Sequence, residues 1–228
     1  GYQPDAAPGF ALRPSLGSPT PEQVAASAGS TLLVWSGADE WCAAGVKQCR
    51  SQKERFMDAD EKADFNAAYD HAGKELWTRS ITKDYGEFAF QWTFSSTPLL
   101  FAGKLYLQIL QRDVAVNGRG KATGNESFLL ALDPATGKEL WRELRPGDAV
   151  AESLESFASP VPFTHKGRTE ILVVGGDCIT GHDPANGKEL WRWGTWNPTK
   201  ITHWRLVPSP VAGGGVVLAC APKNEPIY

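Results

Sequence analysis

Apolar residues in this chain come in short runs, broken by polar and glycine-rich turns. The runs are Thr31–Ser36, Phe65–Asp70, Lys74–Ile81, Ser96–Phe101, Lys104–Arg112, Ser127–Asp133, Lys138–Leu144, Ser159–Thr164, Thr169–Gly175, Cys178–Asp183, Lys188–Trp193, Val207–Ala212 and Val216–Ala221. Runs of this length bounded by Gly, Pro, Asn, Asp and Ser predict strands. Between them, Ala102-Gly103, His165–Arg168, Gly175–Asp177 and Gly213–Gly215 predict tight turns. Asp84–Gln91 reads as an aromatic-rich connection and Val114–Glu126 as a mobile hairpin loop. Helical patterning is confined to two short polar stretches. One is about Pro21–Ala28 with Thr20 as cap, and the other is the SQKERFMDADEKAD segment that begins at Ser51. The pattern therefore predicts an all-β chain.

One stretch recurs. ALDPATGKELW, from Ala131 to Trp141, returns as GHDPANGKELW from Gly181 to Trp191 and, one residue shorter, as AYDHAGKELW from Ala68 to Trp77. Each copy combines an Asp that can bond the turn backbone with a Gly free to take positive φ, followed by a bulky strand start. In the two longer copies Pro134 and Pro184 also preset the first corner of the turn. The spacing is 64 residues from Trp77 to Trp141 and 50 from Trp141 to Trp191. A second marker keeps step: Pro98, Pro160 and Pro210, each preceded by Ser or Thr, are spaced 62 and 50 apart. Two markers drifting together define one repeating unit, and a unit of roughly 40–50 residues with four short strands is that of a propeller blade.

Ala131, Asp133, Thr136, Gly137 and Trp141 match the A-x-D-x-x-T-G-x-x-x-W repeat, which resembles that of the pyrroloquinoline-quinone-type (PQQ-type) β-propellers. The third copy departs with Gly181 for Ala and Asn186 for Thr, and the first keeps Ala68, Asp70, Gly73 and Trp77. The resemblance covers roughly residues 66–228. It implies four-stranded antiparallel blades and a docking girdle, in which Trp77, Trp141 and Trp191 pack between neighbouring blades beside the turns of Asp70, Gly73, Asp133, Gly137, Asp183 and Gly187. It also implies a full ring of seven or eight blades, of which this chain supplies part. The expected organisation is an extended Pro-rich arm over 1–29, then blades over 30–228. The first blade is partial with an insertion at 37–64, complete blades fall at about 95–144 and 158–193, and a partial last blade covers 207–228. The chain is then expected to be a piece of a longer propeller, or to complete a ring with further blades from the same or another chain.

Composition narrows the partners. The formal charge is −3 at pH 7, with no basic stripe for nucleic acid. No apolar run is long enough to span a bilayer as a helix, and no signal peptide opens the sequence, so an exported chain would have lost it. Nine Trp against one Met suits stacked sheets filled by large rigid rings. Cys42 and Cys49 lie in the insertion, where a disulfide would staple a loop with little core of its own. Cys178 and Cys220 fall on strands and read as small buried residues. Asp58, Asp60 and Asp64 do not complete a calcium loop, because Lys62 stands where an oxygen ligand is needed.

Candidate chemistry is sparse. His71, His165, His182 and His203 show no metal-ligand spacing, and no nucleophile motif is present. The quinoprotein dehydrogenases of the resembling family use PQQ and calcium, and the alcohol dehydrogenases among them cover the quinone with a disulfide between adjacent cysteines. No two cysteines are adjacent here. The leading expectation is a non-enzymatic, BamB-like scaffold without a cofactor, binding a protein partner in the periplasm or cell envelope. The alternatives are a fragment of a PQQ-dependent dehydrogenase, with quinone and calcium, or a ligand-sensing ectodomain. The connections between blades return to one rim of the central opening, which places candidate binding residues at Trp92, Glu155, Trp204 and Arg205.

Overall fold

The computed structural model describes residues 33–36, 65–69 and 75–228, apart from 93, 195 and 224. The expected N-terminal arm, the 37–64 insertion, the Cys42–Cys49 pair, Asp70, His71 and Gly73 lie outside the described residues.

The strands assemble into consecutive antiparallel sheets. Strands β1 (Leu33–Ser36), β2 (Phe65–Tyr69) and β3 (Glu75–Ser80) form a three-stranded sheet. The next sheet has four strands in the order β4 (Leu99–Phe101), β5 (Lys104–Ile109), β8 (Phe128–Leu132) and β9 (Glu139–Leu144). Between β5 and β8 the chain makes a separate two-stranded ribbon of β6 (Val114–Val116) and β7 (Arg119–Thr123). A second four-stranded sheet follows in plain chain order: β10 (Val161–His165), β11 (Arg168–Gly175), β12 (Cys178–His182) and β13 (Glu189–Trp193). Strands β14 (Val211–Gly213) and β15 (Val216–Leu218) begin a last sheet, onto which Ile227 bridges at Cys220. Four-stranded antiparallel meanders repeated in this way are propeller blades.

The strands of the repeated stretch pair in one register in all three copies. Trp77 pairs with Ala68, Trp141 with Ala131 and Trp191 with Gly181, and a bulge follows each pair at the next residue. In the longer turns Asp133 Oδ1 accepts from Ala135 N and Asp183 Oδ1 from Ala185 N, each at 2.8 Å. Gly137 and Gly187 close these turns at φ of 69° and 81°. Asn186 replaces Thr136 without loss, since its Oδ1 accepts from Lys188 N at 2.9 Å as the Thr136 hydroxyl does from Lys138 N at 3.4 Å.

Three apolar clusters fill the gaps between successive sheets. One side of β5 and β8 (Leu105, Leu107, Ile109, Phe128, Leu130, Leu132) packs with Phe88, Phe90, Phe94 and Trp77. The other side (Tyr106, Leu110, Leu129, Ala131) meets Ile171 and Val173 with Trp141. Val174 and Ile179 then pack on Trp196, Leu206 and Ala219 with Trp191. Period-two alternation explains why β5 and β8 read as nearly unbroken apolar runs: each face serves a different interface.

Several expectations change. Residues 114–126 form a built hairpin, not a mobile loop. Its turn is Asn117-Gly118, both at positive φ (52° and 80°), the pair that suits a tight hairpin turn. Ile81 ends no strand but starts helix α1 (Ile81–Tyr85), because the Ser80 hydroxyl accepts from Lys83 N at 3.3 Å and caps the helix. The first strand of each four-stranded sheet is shorter or later than its apolar run, since the Ser-Pro segments before β4 and β10 cross to the neighbouring sheet instead of pairing. Cys178 is buried, whereas Cys220 is only partly covered.

Candidate functional site

Two sets of residues converge: the repeat tryptophans at the sheet junctions, and a charged cluster on the connections between sheets.

At the first junction the Trp77 indole lies flat against the turn of the next sheet. A Cβ on Gly137 would come within 2.6 Å of its ring, so only glycine admits the contact. The Trp77 Nε1–H donates to Pro134 O at 2.9 Å, and Arg79 Nη1 donates to Gly137 O at 2.8 Å. Burial and the Glu139 carboxylate, which accepts its hydroxyl, push the Tyr85 phenol well above its usual range. The second junction repeats the stacking but reassigns the hydrogen bond. Trp141 covers Gly187, where a Cβ would sit 2.5 Å from the ring. The matching carbonyl, that of Pro184, accepts instead from Tyr106 Oη at 3.2 Å, and Trp141 Nε1 is buried without a partner among the described residues. At the third copy Trp191 Nε1 donates to Glu170 Oε2 at 2.5 Å. That contact explains the departure at position 181: a Cβ there would collide with the Trp191 indole and the Glu170 carboxylate.

The Ser-Pro markers form a second set of ties. Ser96 Oγ donates to Ala158 O, Ser159 Oγ accepts from Thr97 N at 3.0 Å, and Ser209 Oγ accepts from Ser159 N at 2.8 Å. Here successive connections run side by side, with a parallel bridge between Ser156 and Leu206. Strands β10 and β14, the first of adjacent sheets, are neighbours at this edge.

Three of the four predicted rim residues meet around one network. Trp92 is 56% exposed, and the Arg205 guanidinium lies 5.8 Å from its ring centroid, within cation–π reach. Arg119 on β7 donates from Nη1 to Trp92 O at 2.7 Å and from Nη2 to Gln91 O at 2.9 Å, so the β6–β7 hairpin fixes the loop that carries Trp92. Arg205 also pairs with Glu152. The Glu155 side chain is fully buried: Oε1 accepts from Arg112 Nε at 2.5 Å and from Gln91 N at 3.2 Å, and Oε2 has no hydrogen-bond partner among the described residues. Burial nevertheless pushes the Glu155 carboxyl upward, outweighing the downward pull of Arg112. Trp204 is half-buried, and its backbone N–H donates to Ser153 Oγ at 2.8 Å; it is placed by the connection rather than by Trp92. Sequence reading missed Arg112, Arg119 and Glu152. Arg119 was within reach, because Asn117-Gly118 marks the hairpin that projects it; the Arg112–Glu155 pair, 43 residues apart, carries no local signal.

The arrangement can hold an exposed aromatic ring and two guanidinium groups in fixed positions. Among the described residues no group of three or more His, Cys, Asp or Glu converges as ion ligands.

These sheets, registers and tryptophan turns define a β-propeller of PQQ-like repeats. The family model described as Outer membrane protein assembly factor BamB matches residues 63–225, and the chain belongs to that family. Among solved structures the chain is similar to BamB from Moraxella catarrhalis, at 14% identity and a TM-score of 0.40, over 69% of this chain and 37% of that one. It is also similar to the quinohemoprotein alcohol dehydrogenase from Comamonas testosteroni, at 18% identity and a TM-score of 0.42, over 69% of this chain and 29% of that one. The chain thus spans about a third of either. No curated protein matches it.

Proposed function

We propose that this chain is part of a non-enzymatic propeller scaffold in the cell envelope, and that the Trp92 cluster is where it meets a protein partner. The observation that carries the reading is the exposed indole of Trp92, whose backbone carbonyl Arg119 holds and beside whose ring the Arg205 guanidinium lies. A large ring exposed on a fixed backbone, with guanidinium groups beside it, is the composition of an interface hot spot. Its ordering cost on binding is already met by the Arg119 bonds to the Trp92 and Gln91 carbonyls. The repeat tryptophans serve rigidity in this reading: Trp77 and Trp141 seat on glycines of the next sheet and lock the rim geometry. Family membership supports the scaffold role and the envelope location, and no helix among the described residues is long and apolar enough to cross a membrane.

The test is a photo-crosslinking amino acid placed at position 92, or at position 138 on the far turn, in the protein expressed in its own host. A single adduct of defined mass from position 92 and none from 138 is expected. Adducts from both positions alike, or from neither, reject the rim as the contact. Adding PQQ and calcium to the purified chain should leave its melting temperature unchanged; a clear rise would favour the dehydrogenase reading.

A further inference from the structure

The third sheet and the connection after it enclose a cleft of about 420 Å³, which shares no residue with the Trp92 cluster. Its lining includes Asp148, Asp177, Cys178, Arg192, Trp193, Asn197 and Lys200, and the Asp148 carboxylate bears on Arg192. Beside it lies Arg145, only 1% exposed. Arg145 donates from Nε to Thr180 Oγ1 at 2.9 Å, and from Nη2 to Cys178 O at 3.0 Å and Cys178 Sγ at 3.2 Å. Its Nη1 lies next to Gly176, which lines the cleft; a Cβ there would be 3.4 Å from it. No carboxylate hydrogen-bonds this guanidinium among the described residues. A buried cation with no anion against it is costly, and such groups are ordinarily paired or bound to something.

The same cleft holds other unmet capacity. Lys200 lines it, its backbone N–H bonded to Asn197 O at 3.2 Å and its ammonium in no ion pair among the described residues. Arg192 is paired with Glu189 at 2.6 Å, but its Nη1 turns to Cys178 Sγ at 3.4 Å. On the acceptor side, Asp177 Oδ2 accepts from Asn197 Nδ2 at 2.8 Å, while Oδ1 is buried with no partner. The Lys200 ammonium, the outer side of the Arg192 guanidinium whose Nε and Nη2 Glu189 holds, and an unpartnered carboxylate oxygen in one cavity call for a ligand with both an anionic group and a donor. A bare anion would leave Asp177 unmatched and repelled.

We propose that this cleft binds a small molecule in which a carboxylate or phosphate group stands next to a hydroxyl or ammonium donor. The anionic group sits on Arg192 and Lys200, with Arg145 beneath, the donor meets Asp177 Oδ1, and the Trp193 indole forms a flat wall. This goes beyond the scaffold reading and does not depend on it.

The test uses the full chain and three probes at matched ionic strength: inorganic phosphate, glycolate and acetate, with chloride as reference. Melting temperature is followed as a function of concentration. Because phosphate raises the stability of most proteins by exclusion from their surface, the reading is the saturable part of the shift that is lost in Arg192→Gln/Lys200→Gln. Phosphate or glycolate, each of which carries an O–H beside its charge, should give a saturable rise, and the double variant should need at least fivefold more ligand. Which of the two saturates first tells a phosphate ester from a hydroxy acid. Acetate, without the donor, should be weaker in the parent and equal to glycolate in Asp177→Ala. If the double variant is poorly folded, Lys200→Gln alone, at an exposed position, gives the comparison. Shifts that do not saturate, or that are the same in parent and variant, would overturn the proposal. Acetate matching glycolate in the parent would overturn the role of Asp177.

Discussion

Trp141→Ala would remove the ring that covers Gly187 and open a cavity between two sheets. Large-to-small changes of this kind cost about 3–5 kcal/mol. Lys138→Ala, on the exposed face of the same hairpin, should change stability by less than about 0.5 kcal/mol. Urea unfolding of both variants checks the pair, and equal effects would remove Trp141 from the junction. A second comparison isolates the contact itself. Gly118 and Gly187 have nearly the same φ, 80° and 81°, but a Cβ meets nothing within 4 Å at Gly118 and meets Trp141 at 2.5 Å at Gly187. Alanine at either position carries the backbone strain, about 1–2 kcal/mol. Gly187→Ala should cost about 1–3 kcal/mol more, the range for overpacking. The difference in urea midpoint between the two variants measures it.

At the scale of the element, the three hairpins differ most at the bulge, where the second copy has Leu132 and the third has His182. His182 is fully buried, with Nδ1 2.7 Å from Gly187 O and Nε2 2.8 Å from Thr180 Oγ1. Burial holds its pKa below the ordinary imidazole value, and the nearby guanidinium groups of Arg145 and Arg192 add to this. The unfolded chain therefore takes up a proton that the folded chain refuses. The stability from this group is full above the ordinary imidazole range and is lost as the pH falls through the depressed value. Urea midpoints measured between about pH 7 and pH 5 should fall, and His182→Leu, which copies the second blade, should flatten that part of the curve. The hairpin itself was legible in the sequence because Asp, Gly and Trp fix its turn locally. The β6–β7 ribbon was legible too, through Asn117-Gly118, but the glycines around it suggested looseness. Helix α1 was masked by the apolar Ile81, and only the Ser80 cap distinguishes it from a strand end. The rim was partly legible: aromatic and charged residues on the connections pointed to Trp92 and Arg205. The same reasoning named Glu155, but not its burial, because a partner 43 residues away leaves no mark on the local pattern.

For the whole molecule, each sheet buries its faces only against the next, so stability is shared between neighbours rather than held in one centre. Hydrogen exchange should grade along the chain. Strands β5, β8, β11 and β12, whose residues are almost all buried, should exchange slowest. The β14–β15 pair, with Val211 and Val216 largely exposed, should exchange fastest. Trp141→Ala should speed exchange in the sheets on both sides of its junction and leave β14–β15 unchanged. Uniform acceleration everywhere would mean that the sheets unfold as a single unit.

The serine ties join the last three sheets in turn along one edge, and between the two four-stranded sheets the Trp141 seat on Gly187 adds a second, separated anchor. A panel held at a single point can swing; one held at two can take only one angle to its neighbour. Residues as small as Ser159 and Ser209 therefore set the angle at which successive panels meet. That angle divided into a full turn is the number of panels a closed barrel of them can contain. Lengthening either anchor by one atom, as Ser159→Asn or Ser209→Asn would do, is a way to ask how strictly that number is kept.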